Sequence, residues 1–109
     1  MSMLTHPDLD DVPLAAALHA LADPARLTIL RRLAEAECLN CESALSVETV
    51  PASTRSNHFR ILRAAGLIRT EKSGRNYVSR LRRDEVERRF PGLLDTVLSA
   101  AAADALTPS

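Results

Sequence analysis

Two groups of residues in this sequence could do chemistry, and the smaller one is a pair of cysteines. Cys38 and Cys41 are separated by two residues, and the chain has no other cysteine. Two cysteines at this spacing could hold a soft metal ion as thiolates, form a disulfide, or be inert and pack as small buried apolar groups. A structural zinc site needs about four ligands. The missing ones could come from His6, from His19 or from a second copy of the chain.

The larger group is a polar run that begins just after Pro51. Its hydroxyl, amide, imidazole and guanidinium groups belong to Ser53, Thr54, Arg55, Ser56, Asn57, His58 and Arg60. Such groups bond to phosphates and to base edges in DNA, and asparagine can pair bidentately with adenine. Phe59 and Leu62 recur among them at helical spacing. The pattern therefore predicts a helix, over 51–65, with a buried apolar side and an exposed polar side.

Basic residues are concentrated in the same half of the chain. The whole sequence carries 14 Lys and Arg and 14 Asp and Glu, so its formal net charge is zero. From Arg55 to Arg89, however, eleven basic residues stand against four acidic ones, and the remainder carries three and ten. This asymmetry is typical of a face that binds a polyanion, although a merely solvated basic face is the alternative.

The elements that must position these groups are mostly helical. One short domain with few aromatic residues favours a core of packed helices. We expect helices over 14–21 and 24–36, the second capped by Asp23 and with its arginines, Arg26, Arg31 and Arg32, turned outward. A short helix is expected around Cys41–Leu45, and Gly66 is expected to end the 51–65 helix with a positive φ.

A hairpin and two further helices complete the expected order. Strands over 67–71 and 76–81 flank a tip that contains Gly74, with Lys72 and Arg75 suited to phosphates or a minor groove. A short helix capped by Asp84 is expected to run through Phe90, and a last helix is expected from Leu93. The predicted fold is mainly α with a small β-hairpin wing, a winged helix-turn-helix.

The predicted organisation has three parts. Residues 1–12 are expected to form a flexible N-terminal arm, 13–104 the winged helix-turn-helix domain, and 105–109 a frayed C-terminus. No apolar run is long enough to cross a bilayer, and the N-terminus lacks the layout of a signal peptide. We therefore expect a soluble cytoplasmic protein with no membrane partner.

Three segments resemble, in order, those of the ArsR/SmtB family of bacterial repressors. They are LHALADPARLTIL at 18–30, STRSNHFRILRAAGLI at 53–68 and GRNYVSRL at 74–81, which are similar to the family's opening motif, recognition segment and wing strand. The resemblance implies base contacts from Ser53, Ser56 and Asn57. Ala52 stands where a contact residue is common, and its side chain cannot hydrogen-bond.

The resemblance also implies a homodimer joined through its first and last helices. The residues that would meet are Leu14, Leu18, Leu93, Leu94, Val97 and Leu98; the alternative is that these apolar faces only close one core. Many members of the family release DNA on binding a metal or reacting with an oxidant. Cys38 and Cys41 lie near the family's Cys-x-Cys site at a different spacing, and the family's zinc site on the last helix is absent because no histidine follows His58.

We therefore predict a sequence-specific DNA-binding regulator, a repressor whose dimer reads a two-fold operator. The 51–65 helix would enter the major groove, and the 72–75 wing would lie on the backbone or in the minor groove. A transition metal ion or an oxidant is the candidate signal. The alternative is a helix-turn-helix interaction module that acts through a partner protein. An enzyme is disfavoured because the sequence has no glycine-rich phosphate loop and no nucleophile elbow.

Overall fold

A computed structural model describes residues 6–36, 38–40 and 51–106 of the chain. A short 3-10 helix, Leu9–Asp11, precedes the first α-helix. The α-helices are α1 (Leu14–Leu21), α2 (Pro24–Ala36), α3 (Ala52–Ala64), α4 (Arg83–Arg89) and α5 (Leu93–Leu106), and the strands are β1 (Cys38–Asn40), β2 (Ile68–Ser73) and β3 (Asn76–Leu81). The predicted mainly α fold with a β-hairpin wing is confirmed, and no described helix is long and apolar enough to cross a membrane.

Local signals set the start of α2 and the end of α3. The Asp23 carboxylate caps α2, because its Oδ1 accepts from the backbone N–H of Ala25 at 2.8 Å and of Arg26 at 3.2 Å. Gly66 follows α3 with a φ of 76°, as expected for a left-handed helix stop. A Cβ on Gly66 would lie 3.0 Å from Leu9 Cδ1, so a larger residue there would also press on a side chain of the core.

The strands form one antiparallel sheet with the order β1-β3-β2. Within the wing, Thr70 faces Ser79 and Ser73 faces Asn76, so Gly74 and Arg75 alone make the turn. The third strand, β1, was not expected, because three residues are too few to show an alternating pattern. The helix predicted around Cys41–Leu45 lies outside the described residues.

The core lies between α2, α3 and the sheet and is closed by α4 and α5. Its largest fully buried apolar side chains are Phe59, Ile29, Leu30, Leu33, Leu62, Leu67, Ile68, Leu94 and Val86. Leu9 and Val12 also belong to this core. Two apolar side chains three residues apart therefore reach the interior from His6–Val12, and the division of the chain at residue 12 stays a prediction. The domain boundary at residue 104 stays a prediction.

Two expectations about charged residues were wrong. Arg26 does not turn outward; it is 7% exposed and is bonded inside the domain. Asp84 does not cap α4, which begins one residue earlier with Arg82 at the cap position. Asp84 instead lies in the first turn of α4, where a carboxylate is favoured by the helix dipole.

Candidate nucleic-acid interface

The two sides of α3 differ as the sequence predicts. Phe59 and Leu62 are 1% and 0% exposed and belong to the core. The predicted DNA-contacting side chains of α3 lie on the other side: Ser53, Thr54, Ser56, Asn57 and Arg60 are exposed, and Arg55 and His58 are half-buried. One face of α3 is therefore available to a groove, while the opposite face fixes the helix to the domain.

Two of the exposed side chains are already paired. The Arg60 guanidinium donates from Nη2 to Asn57 Oδ1 at 2.7 Å. Since arginine only donates, this contact identifies the Asn57 atom as the carbonyl oxygen and leaves the amide N–H groups pointing elsewhere. The two residues are three positions apart on α3, about one helical turn, so Arg60 orients the Asn57 side chain from the same helix.

The wing presents the predicted basic tip. Lys72 and Arg75 are exposed, and Gly74 has a φ of 64°, which a two-residue turn of this kind requires. Beneath the tip, the hydroxyls of Thr70 and Ser79 bond across the two strands at 2.8 Å and are buried. The cations of the tip therefore extend from a hairpin whose two strands are joined, near its base, by a buried hydrogen bond.

Arg26 connects the helices that frame the interface. Its Nε donates to the Ala20 carbonyl at 2.6 Å, its Nη2 to the His19 carbonyl at 3.1 Å, and its Nη1 lies 3.3 Å from His58 Nδ1. Both carbonyls belong to the last turn of α1. The His19 carbonyl also accepts from the Ala22 N–H at 3.2 Å, whereas the residue four after Ala20 is Pro24, which has no N–H to donate. Because arginine has no acceptor, His58 Nδ1 must be the acceptor. Arg26 therefore ties both α1 and α3 to α2.

Sequence reasoning missed this role of Arg26, although one signal was present. Arg26 lies in the first turn of α2, where the helix dipole disfavours a cation. A basic residue that stays in such a position indicates an interaction outside its own helix. Its partner His58, predicted as a DNA contact, is half-buried and bonded to this guanidinium.

The residues predicted at a dimer interface fall into two classes. Leu14 and Leu18 are 50% and 45% exposed on α1. On α5, Leu93, Val97 and Leu98 are half-buried against the core of the same chain. Leu94 is 1% exposed and fills that core, so in this conformation it has no surface to offer a partner.

The cysteine pair is only partly described. Cys38 lies in β1 opposite Arg80, in a strand and not at the start of a helix, and Cys41 lies outside the described residues. Within the described ranges, no three His, Cys, Asp or Glu side chains come together in a way that could hold a metal ion. His6, one of the suggested additional ligands, instead accepts a hydrogen bond from the Thr70 backbone.

Fold and interface together define a winged helix-turn-helix protein, and comparisons with known proteins agree. A helix-turn-helix domain family matches residues 21–71. The HTH-type transcriptional regulator YceK of Bacillus subtilis is 35% identical over 97 residues, which cover 88% of this chain and 97% of that protein. The HTH-type transcriptional repressor SmtB of Mycobacterium tuberculosis is 38% identical over 65 residues, covering 59% of this chain and 47% of SmtB.

Solved structures give the same result. An ArsR-like transcriptional regulator from Rhodococcus sp. RHA1 superposes with a TM-score of 0.57 at 27% identity, covering 87% of this chain and 94% of that one. An ArsR family transcriptional regulator has a similar fold, with a TM-score of 0.61 at 23% identity over 94% of this chain and 92% of its own. The chain belongs to the ArsR/SmtB family of helix-turn-helix regulators, and it is a DNA-binding transcriptional regulator.

Proposed function

We propose that this regulator is a cytoplasmic repressor whose homodimer reads a two-fold DNA operator. The observation that carries the proposal is the two-sided character of α3, with exposed polar side chains over a buried Phe59 and Leu62. A helix built this way can enter a major groove about 12 Å wide while its apolar side holds it to the domain. The exposed cations of the wing tip, Lys72 and Arg75, then contact the backbone or the minor groove.

The exposed leucines of α1 support the dimer. Leu14 and Leu18 are the large hydrophobic side chains that the described part of the chain leaves exposed. They are one helical turn apart, so a second copy could cover both at once. We place the half-buried Leu93, Val97 and Leu98 of α5 beside them in this interface. A dimer of this type would read two half-sites about 34–36 Å apart, one turn of DNA.

A mobility-shift titration tests DNA binding directly. The probe is the promoter region of the chain's own gene, and the salt concentration is varied. Phosphate contacts predict that log K falls with log salt with a slope of about −0.9 for each phosphate neutralised. Failure to bind even at low salt would favour the alternative, an interaction module that acts through a partner protein.

Two substitutions separate base reading from backbone contact. Asn57→Ala is expected to weaken binding to the promoter DNA by about 1–3 kcal/mol and to relax the preference at one base pair, because an asparagine amide reads a base edge. Arg75→Ala is expected to weaken binding to specific and random duplexes almost equally, since a wing-tip cation meets phosphate. Competition titrations with both duplexes measure the two losses.

The two variants serve as controls for each other. Both positions are exposed, so neither substitution should change the thermal midpoint appreciably. If Asn57→Ala loses the same factor on random DNA as on the promoter, Asn57 reads no base. If Arg75→Ala changes the ranking of sequences, the wing itself takes part in specificity.

We propose that the signal, if it is a metal ion or an oxidant, acts through Cys38 and Cys41. The support is their spacing, since two thiolates separated by two residues can share a soft metal or form a disulfide. Changing both cysteines to serine is expected to leave DNA binding intact and to abolish the response to zinc or to an oxidant such as diamide. A doubly substituted protein that still releases DNA on treatment would place the sensor elsewhere.

A further inference from the structure

The segment His6–Val12, here called the strap, is held to the domain by arginines from the C-terminal half. Arg82 Nη1 donates to the Pro7 carbonyl at 2.8 Å. Arg89 donates from Nε to the Leu9 carbonyl at 3.1 Å and from Nη2 to the Val12 carbonyl at 3.0 Å. Three successive anchor points, together with the buried Leu9 and Val12 side chains, fix the course of the strap.

The arginine anchors are themselves held in place. Arg82 is almost fully buried and forms a bidentate pair with Glu85, at 2.7 and 3.2 Å, which lowers the pKa of the Glu85 carboxyl. The Arg89 guanidinium lies over the Phe90 ring, 4.4 Å from its centre. The strap is therefore attached to a preformed surface, and its first described residue has a defined position.

That first residue, His6, bonds to the wing. Its Nε2 lies 2.9 Å from the backbone nitrogen of Thr70 in β2 and accepts the N–H. Thr70 faces Ser79 on β3, and the short hydroxyl contact between them is typical of a non-hydrogen-bonded pair, whose N–H groups point away from the partner strand. Since β2 is an edge of the sheet, the Thr70 N–H would otherwise be open to water or to another chain.

We propose that His6 is a positioning residue for the wing: its unprotonated Nε2 caps the edge of β2 at Thr70 and ties the wing to the strap. Thr70 is two residues from Lys72 and four from Gly74, so this contact lies at the base of the basic tip. The proposed contribution to DNA affinity rests on the proposed function, whereas the contact between strap and wing does not.

The contact depends on the protonation of His6, because a protonated imidazole has no lone pair to accept with. The charged groups whose fields act on His6 are Arg69 and Glu71 of β2, Arg63 of α3, and Arg82. Burial and then the charges of Arg69, Arg82 and Arg63 lower the pKa of His6 from 6.5, while Glu71 raises it. The ring is therefore kept neutral at neutral pH.

The direction of the pH effect follows from this lowered pKa. Below pH 6.5 the unfolded or detached His6 binds a proton before the docked one does. The stabilisation from the contact is therefore complete above pH 6.5 and is lost as the pH falls through the lowered pKa of the docked ring. Acid should release His6 from β2 and leave the Thr70 N–H uncapped.

Amide hydrogen exchange at Thr70 tests the contact without any DNA. At neutral pH, His6→Ala is expected to reduce the protection factor of the Thr70 amide about threefold to tenfold, the worth of one hydrogen bond. His6→Gln is expected to retain most of the protection, because its amide oxygen can accept at nearly the same place as Nε2. His19→Gln, the same change at an exposed histidine of α1, is the matched control and should leave Thr70 unaffected.

The pH profile distinguishes a positioning role from simple packing. In the wild type, the protection factor of the Thr70 amide should decrease as the pH drops below 6.5. In His6→Gln it should not change with pH, because glutamine does not titrate. Equal protection in the wild type and His6→Ala would overturn the proposal. So would the same acid loss in His6→Gln as in the wild type.

Binding to the promoter duplex extends the test to function. At neutral pH, His6→Ala is expected to bind about threefold to tenfold more weakly, and His6→Gln to bind like the wild type. If the wild type binds no DNA, the proposed function fails while the Thr70 exchange still decides the contact. If Thr70 loses protection in His6→Ala but DNA affinity is unchanged, the contact exists and the positioning role is wrong.

Discussion

Replacing Arg26 with methionine is expected to lower the free energy of unfolding by about 2–4 kcal/mol, because it removes the donor to the buried Ala20 carbonyl and the other hydrogen bonds of the guanidinium. The guanidinium is 7% exposed and bonds to the Ala20 and His19 carbonyls, and Ala20 itself is fully buried. Methionine retains much of the side-chain volume, so the loss reports the hydrogen bonds and not a cavity. Urea denaturation at one fixed protein concentration measures it, since a dimer's stability depends on concentration.

The control for Arg26 lies on the same helix. Arg31 is only half-buried, and Arg31→Met should change the unfolding free energy by no more than about 0.5 kcal/mol. A third variant, Arg26→Lys, retains the charge without the planar fork and should recover only part of the loss. Equal stability of Arg26→Met and Arg31→Met would show that the bonds of Arg26 to α1 contribute nothing.

Phe59→Ala is expected to destabilise the protein by about 3–5 kcal/mol, because it removes a ring from the centre of the core. Phe59 is 1% exposed and is the largest of the fully buried side chains. For a domain of this size each kcal/mol corresponds to about 4–8 °C in Tm, so calorimetry or thermal circular dichroism will detect the change. DNA binding should be lost with the fold, since α3 is held in place through this residue.

The residue next to Phe59 provides the opposite outcome. Arg60 is exposed, and Arg60→Ala should leave Tm nearly unchanged while weakening DNA binding. The pair separates the two sides of α3: one substitution removes stability, and its neighbour removes affinity. A thermal loss in Arg60→Ala as large as that of Phe59→Ala would contradict the two-sided description of the helix.

The sequence predicted the elements that have local signals. Asp23 acts through its carboxylate on the N–H groups just after it, and Gly66 and Gly74 act through their own backbone; each is found in the expected role. The two-sided α3 could also be predicted, because helical periodicity requires only residues within one helix. These features are enough to define a winged helix-turn-helix and its polar face.

Features that depend on distant parts of the chain could not be predicted. One partner of Arg26, His58, is 32 residues away in the chain, and the partner of His6, Thr70, is 64 residues away. Leu94 was predicted at a dimer interface for the same reason. An apolar periodicity shows which face of a helix is buried, but not whether the same chain or a partner subunit buries it. β1 is held by pairing with β3, and three residues carry too little pattern of their own.

The bond between Arg60 and Asn57 has a consequence for how strongly this helix can discriminate between bases. An asparagine that must stop rotating when it meets DNA loses side-chain entropy at that moment, about 0.5–1.5 kcal/mol for an ordered side chain. Here the 2.7 Å contact already restricts Asn57 in the free protein, and its carbonyl oxygen has a second lone pair to offer a base. Part of this entropy is therefore lost on folding and not on binding. Less of the energy of the hydrogen bonds between Asn57 and its matching base is then offset when the protein meets DNA.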